Sequence, residues 1–279
     1  MSVNPKPTIA LTFDVELWSE GAWLKPHITE DMLAHDPFPK SMERVLNALK
    51  KYSAHATFFV TLDVTEKYPH ILKQIADDGH EIGIHGPRHI RLSEYTPETF
   101  KQDCEKQITL IETATDAKVK NNNLGFRAAH FSLDKKTEWI LPILKDLGFT
   151  YDSSIFPMNM GEYGVADAQL DRYEIIPGLT EIPTSVATIF GFRIPFAGGI
   201  YFRFLPLFIF KWFVHSVAKT RTPIIYFHPH ELDSSTPQIK SGPYIRRLLK
   251  YWNTKNSFKK FEKLLNCYIF DSIKHINHL

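Results

Sequence analysis

Cysteine is scarce: the 279 residues contain two, Cys104 and Cys267, far apart and without a Cys-x-x-Cys spacing. Neither a disulfide framework nor a cysteine-built metal centre is indicated, so any metal has to be held by histidine and carboxylate. A bilayer-spanning run is also missing. The most apolar stretch, 200–214, is interrupted by Arg203, Pro206 and Lys211 and is shorter than the roughly 20 residues a span needs. It is expected to be a helix packed on the core or one lying at a membrane surface. The opening Met-Ser-Val-Asn-Pro-Lys-Pro has no apolar h-region, which gives the expectation of a cytoplasmic protein, peripheral at the inner membrane face if it docks there. Repeats, low-complexity tracts and long linkers are absent too, and a single domain over 1–279 is expected.

A large excess of charge is lacking overall, since net charge is only +2. The balance is uneven, however: Arg203 to Lys263 carries 12 Lys or Arg against 3 acids. This basic C-terminal part is either a solvated face or a surface for an anionic partner, such as a phospholipid face or a phosphate-linked glycan. No nucleic-acid-binding motif accompanies it, and no nucleic-acid partner is expected.

What is present is a 43% hydrophobic chain, enough for one sizeable core, in which strand-like and helix-like stretches alternate. Strands are expected over 8–16, 55–61, 80–85 and 123–128, with helices over 41–52, 64–78, 97–113 and 135–147. Such alternation predicts parallel βαβ units. After Tyr151 the pattern loosens into short strands at 173–176 and 181–186, a Gly-rich loop at 197–199, a helix over 205–219 and a strand over 224–230.

Four strand ends carry chemistry. Along 8–16 side chains alternate, so Ile9, Leu11, Phe13 and Val15 share one face while Ala10, Thr12, Asp14 and Glu16 share the other, projecting two carboxylates together. In Gly79-His-Glu-Ile-Gly-Ile-His-Gly-Pro-Arg-His89, His85 ends a strand on the face of Gly83, which leaves room inside. Gly86 and Pro87 stop the strand, and Pro87 suits a first helical turn, so His89 can return toward His85 from a loop or short helix. A His-x-x-x-His spacing arises by chance in a chain with 13 histidines; its place at a strand end, with a carboxylate pair at another, makes it a two-His, one-carboxylate metal site with an open position for water. The third end aims Arg127 to the side of Gly125, and the fourth aims His228 and His230 to one side. Taken singly, Arg127 is equally readable as a structural ion pair and His228 as a core histidine.

Together these four ends resemble the polysaccharide deacetylases, the NodB-homology carbohydrate esterases, over nearly the whole chain. The resemblance implies an α/β fold, an incomplete or distorted (β/α) barrel of about seven strands. The family's first motif, Thr-Phe-Asp-Asp-Gly, reads Thr12-Phe-Asp-Val-Glu16 here, similar to a branch of exopolysaccharide and peptidoglycan deacetylase-like members in which the second carboxylate falls one residue later. Strand alternation is compatible with that shift, because Val15 leaves the inner face and Glu16 joins it. The resemblance then implies that Asp14 is the base and Glu16 a metal ligand, the reverse staying open. His85 and His89 match the metal motif. Arg127 matches the Arg-x-Pro motif with Ala129 in the proline's place, and His228 matches the late histidine better than His230 does. The run 198–206 is similar to a loop of the exopolysaccharide-associated branch, and Asp152 stands where relatives place an acid that tunes the arginine.

The expected activity is removal of the N-acetyl group from an amino sugar in a glycan or lipid-linked glycan precursor. A divalent metal on Glu16, His85 and His89, with zinc the best suited and Co2+, Ni2+ or Mn2+ compatible, would acidify water. Asp14 would take its proton, His228 would protonate the leaving nitrogen, and Arg127 would hold a catalytic carboxylate charged. The rivals are an amidase acting on a cyclic imide, ureide or formyl-sugar, and a glycan binder without catalysis.

Overall fold

A computed structural model describes residues 6–21, 24–120 and 124–279. The opening residues 1–5 and the expected strand start at Asn123 lie outside them. The strands are β1 (Thr8–Val15), β2 (Thr57–Val60), β3 (Glu81–His85), β4 (Gly125–Arg127), β5 (Tyr151–Asp152), β6 (Tyr173–Ile176), β7 (Leu179–Glu181), β8 (Val186–Ile189), β9 (Phe192–Pro195), β10 (Ile224–Phe227) and β11 (Ile269–Asp271). The helices are α1 (Glu30–Ala34), α2 (Phe38–Lys51), α3 (Leu62–Lys67), α4 (Pro69–Asp77), α5 (Pro97–Ala114), α6 (Ile140–Asp146), α7 (Gly199–Phe204), α8 (Leu207–Ala218), α9 (Tyr244–Tyr251), α10 (Thr254–Leu265) and α11 (Ile273–Asn277).

One curved sheet runs in the order β10-β1-β2-β3-β4-β5-β7-β6, with β11 also on β1. All its pairings are parallel except β6 with β7. The barrel does not close. At the gap between β7 and β10, Ser185 makes the remaining link, its N–H donating to Ile224 O at 3.2 Å and its Oγ accepting from Ile224 N at 2.8 Å. β8 and β9 form a separate hairpin.

Alternation along β1 decides which residues reach the interior. Ile9, Leu11, Phe13 and Val15 pack outward into the layer of helices, while Ala10 joins Phe59, Tyr151, Ile182, Ile224 and Ile273 in a small inner plug. α11 seals the lower end: Ile273 N donates to Thr57 Oγ1 at 2.9 Å and Lys274 N to Glu81 Oε2 at 3.0 Å. The polar ends of β1, β3, β4 and β10 therefore open only upward.

Several boundaries differ from expectation for local reasons. The helix expected over 64–78 is two, because Pro69 disfavours helical backbone at Tyr68 (φ −131°, ψ 52°). The strand expected over 181–186 is split around Pro183 between β7 and β8, since proline cannot donate to a ladder. The expected loop at 197–199 contributes Gly199 to α7, a helix that was not expected, and the helix expected over 205–219 starts only after Pro206, as α8. The strand expected over 224–230 stops at Phe227 as β10, after which Pro229–Leu232 forms a 3-10 turn.

Candidate active site

β1 and β3 lie one strand apart across β2, and β3 pairs with β4 so that His85 stands beside Arg127. The register brings Asp14, Glu16, His85, His89, Arg127 and His228 to one end of the sheet. His89 returns to His85 by a tight turn rather than a helix. Gly86 (φ +41°) and His89 (φ +48°) are left-handed, and His89 N donates to Gly86 O at 2.9 Å, which a helix starting at Pro87 cannot accommodate. The two imidazole centroids are 5.4 Å apart. A Cβ at Gly86 would meet Ala129 N at 2.8 Å, so this turn lies directly against the loop after β4.

The room expected at Gly83 is filled. A Cβ there would meet the Phe59 ring at 2.6 Å, and that ring supports the Arg127 guanidinium 4.3 Å above its centroid. Fully buried Arg127 donates through Nη1 to Thr12 Oγ1 and Asp14 Oδ1, both at 2.8 Å, through Nη2 to Ser153 Oγ at 2.9 Å and through Nε to Ser153 O at 3.1 Å. Burial alone would raise the Asp14 pKa; Arg127, and then His85 and His228, outweigh it and hold the carboxyl below its usual range. Asp152 does not touch Arg127. Its neighbour Ser153 does, while Asp152 accepts from Ser154 Oγ and lies against Glu181.

Glu16, His85 and His89 each present one donor atom within 4.8 Å of the others, all buried. Glu16 Oε2 lies against His89 Nε2 and has no hydrogen-bond partner. His85 Nδ1 donates to Arg127 O at 3.2 Å, which fixes its tautomer and leaves Nε2 as a lone-pair donor. Burial lowers the His85 pKa to about 4, so it is neutral as ligation demands. A buried carboxylate oxygen lying against one imidazole, beside a second imidazole that is oriented and neutral, is a donor set that fits a divalent cation.

His228 stands on the other side of Glu16, Nε2 to Oε1 4.0 Å. Burial opposes its charge, yet the carboxylates of Glu16 and Glu231 and a hydrogen bond from Nδ1 to Glu231 Oε2 at 3.0 Å raise its pKa to about 9. Glu231 is held in turn by Arg203 Nη2 at 3.1 Å and by the His228 N–H at 3.0 Å. Gly199 makes this fit, since a Cβ there would sit 2.0 Å from Glu231 Oε2. His230 lies half-buried beside His228, ring centroids 5.2 Å apart.

Sequence reasoning missed Glu231, Arg203, Glu20 and His130. The His228-x-x-Glu231 spacing was a usable signal, because i and i+3 meet across one turn. Nothing local marked the other three. Burial and then the Glu16 charge push the Glu20 pKa to about 8, and His130, at φ +58°, lies with its ring 4.5 Å from His89.

Residues 2–151 match the model of the family described as polysaccharide deacetylase. The chain belongs to the polysaccharide deacetylase family. Residues 153–278 match a domain of unknown function, DUF3473, whose strands β10 and β11 pair with β1 of the first match. A peptidoglycan-N-acetylglucosamine deacetylase of Bacillus cereus is 36% identical over 67 residues, 24% of this chain and 32% of the relative. The peptidoglycan deacetylase of Helicobacter pylori is 27% identical over 164 residues, 56% of this chain and 53% of the relative. These matches thus span about half or less of the curated relatives' length. Among solved structures, a candidate polysaccharide deacetylase from Mycobacterium smegmatis superposes with a TM-score of 0.64 at 18% identity, covering 100% of this chain and 91% of that one. At that identity the family's fold is what it shows.

Proposed function

We propose that this chain is a metal-dependent hydrolase that removes the N-acetyl group from an amino sugar within a glycan or lipid-linked glycan precursor. The observation that carries the reading is the placement of the Asp14–Arg127 pair, a donor set for a cation and the His228 imidazole around one point, with Glu16 between His89 and His228. The amino-sugar substrate class follows the family and relatives named for peptidoglycan deacetylation.

A divalent cation held by Glu16, His85 and His89, zinc being the best match to this donor set, supplies Lewis acidity toward water and the acetyl carbonyl. Asp14, kept ionised by Arg127, receives the proton from the attacking water. Arg127 cannot follow that proton, because its guanidinium is fixed on Thr12 and Ser153 as well as Asp14; it is a positioning residue. His228, protonated at neutral pH through Glu231 and Glu16, delivers a proton to the departing sugar nitrogen. The base and the acid thereby have opposite resting protonation states, as amide hydrolysis requires.

The test is acetate release from N-acetylglucosamine oligomers and from a lipid-linked amino-sugar substrate, using metal-stripped protein with and without zinc or cobalt, and the Asp14→Asn variant. Metal-dependent release that is lost in the variant supports the reading. Stoichiometric metal binding without acetate release transfers the chemistry to another amide, such as a cyclic imide, ureide or formyl-sugar; neither binding nor turnover leaves a non-catalytic glycan binder.

A further inference from the structure

The DUF3473 half carries a surface that the catalytic reading does not use. Phe204, Phe208 and Trp212 follow at spacings of four along α7 and α8 and are 41%, 74% and 55% exposed. Trp252, 46% exposed at the end of α9, stacks on Phe204 with ring centroids 5.2 Å apart and planes 10° from parallel. The strip continues along α9, which buries none of its residues although Ile245 and Leu249 lie on the side of Trp252 at spacings of four and three. Leu248 and Tyr251 on its other side are half-buried, so folding accounts for that side of α9 and not for the exposed apolar face of Ile245 and Leu249.

Beside this strip runs a second one of a single sign. Lys255, Lys259 and Lys263 occur at spacings of four on α10, all exposed. Lys259 and Lys263 line an open groove of about 730 Å³ together with Phe204, Leu207 and Trp252. Lys211 borders the adjoining exposed patch of Phe208 and Trp212. Among the described residues no acid forms an ion pair with Lys211, Lys255, Lys259 or Lys263.

We propose that this aromatic and lysine surface docks on an anionic lipid bilayer. Tryptophan and phenylalanine insert at the headgroup level, while unpaired lysines meet anionic headgroups. No helix among the described residues is long and apolar enough to cross a membrane, so contact through this face lies in the interfacial plane. The surface also reaches the catalytic centre mechanically. Arg203 donates to the carbonyls of Leu249, Lys250 and Trp252 at 3.0, 3.0 and 2.8 Å, and to Glu231, the partner of His228. Docking therefore holds the site at a set height above lipid, where a lipid-linked glycan presents its sugars. The docking itself stands apart from the deacetylase reading, because it is measured without turnover.

The test is co-sedimentation of the full chain with phosphatidylcholine vesicles, with and without phosphatidylglycerol, at low and high salt. Binding to the anionic vesicles that salt releases is expected, weakened about tenfold or more in Phe208→Ser/Trp212→Ser and in Lys259→Glu/Lys263→Glu, with the circular dichroism and Tm of wild type retained. Absence of wild-type binding to anionic vesicles at low salt overturns the proposal, as do variants that sediment like wild type. So does a wild-type dimer without vesicle binding that Phe208→Ser/Trp212→Ser dissociates, which assigns the strip to a second copy of the chain.

Discussion

Arg127 Nη1 donates to Asp14 Oδ1 at 2.8 Å, with the two residues 0% and 1% exposed. The pair joins β1 to β4 across the interior of the sheet, so under the proposed mechanism stability and catalysis are loaded onto the same contact.

Arg127→Met leaves Asp14 buried without its cation and is expected to cost about 3–5 kcal/mol. Asp14→Asn keeps a hydrogen-bond acceptor for Arg127 and removes the base; its unfolding midpoint stays much nearer to wild type while acetate release falls about 10²–10⁴-fold. Urea unfolding and initial rates on the two variants separate the roles. Equal stability loss in both would contradict them.

Removal of one metal donor is expected to abolish metal-linked stability. Wild type with zinc at about 100 times Kd gains about 2.7 kcal/mol, read as a Tm rise that a chelator reverses. His85→Ala and His89→Ala should show no zinc-dependent Tm rise and little bound metal by elemental analysis. A full zinc response in either variant places the cation elsewhere.

In the proposed mechanism Glu231 sets the acid. The His228 pKa is raised in the fold by neighbouring carboxylates, so its proton is present at neutral pH and is lost as pH rises through the folded value. Glu231→Gln removes one of those charges and should move the alkaline limb of kcat/KM to lower pH. Gly199→Ala, whose methyl would displace the Glu231 carboxylate, should shift the limb the same way with only a small change in Tm. An unmoved limb in both variants would show that another group donates the proton.

Asp152 and Glu181 are adjacent and fully buried; desolvation raises both, and the neighbouring Asp152 raises Glu181 further, while a hydrogen bond with Glu181 partly offsets the rise at Asp152. An acid with a raised folded pKa takes up a proton on folding. Its contribution to stability is full below the ordinary carboxylate range, about pH 4, and declines as pH rises through the folded value. Wild-type Tm should therefore drop by about 3 °C or more between about pH 5 and about pH 8, and Glu181→Gln should flatten that slope. Parallel profiles for the two proteins, recorded by calorimetry, would remove the pair from the pH dependence.

Much of the site was legible because strands alternate and end abruptly. The period of two along 8–16 placed Asp14 with Glu16, and the polar ends of the next strands placed His85, Arg127 and His228 at the same rim. Less was legible in the second half. The breaks at Pro183 and Pro206, like the one at Pro69 in the first half, were written in prolines, but the expected elements ran through them. Gly83 read as empty space, whereas Phe59, from the neighbouring strand, occupies it.

The chain by itself determined the alternation of β and α units, the inward carboxylates and the His-x-x-x-His donors, because these depend on local periodicity. Only the tertiary structure decided that Ser153 rather than Asp152 holds Arg127, that Glu231 and Arg203 orient His228, and that aromatic residues of three helices form one exposed strip beside the lysines of a fourth. Apart from the local His228–Glu231 pair, those relationships join residues tens of positions apart, and their partners are chosen by which atoms remain unpaired once the sheet has formed.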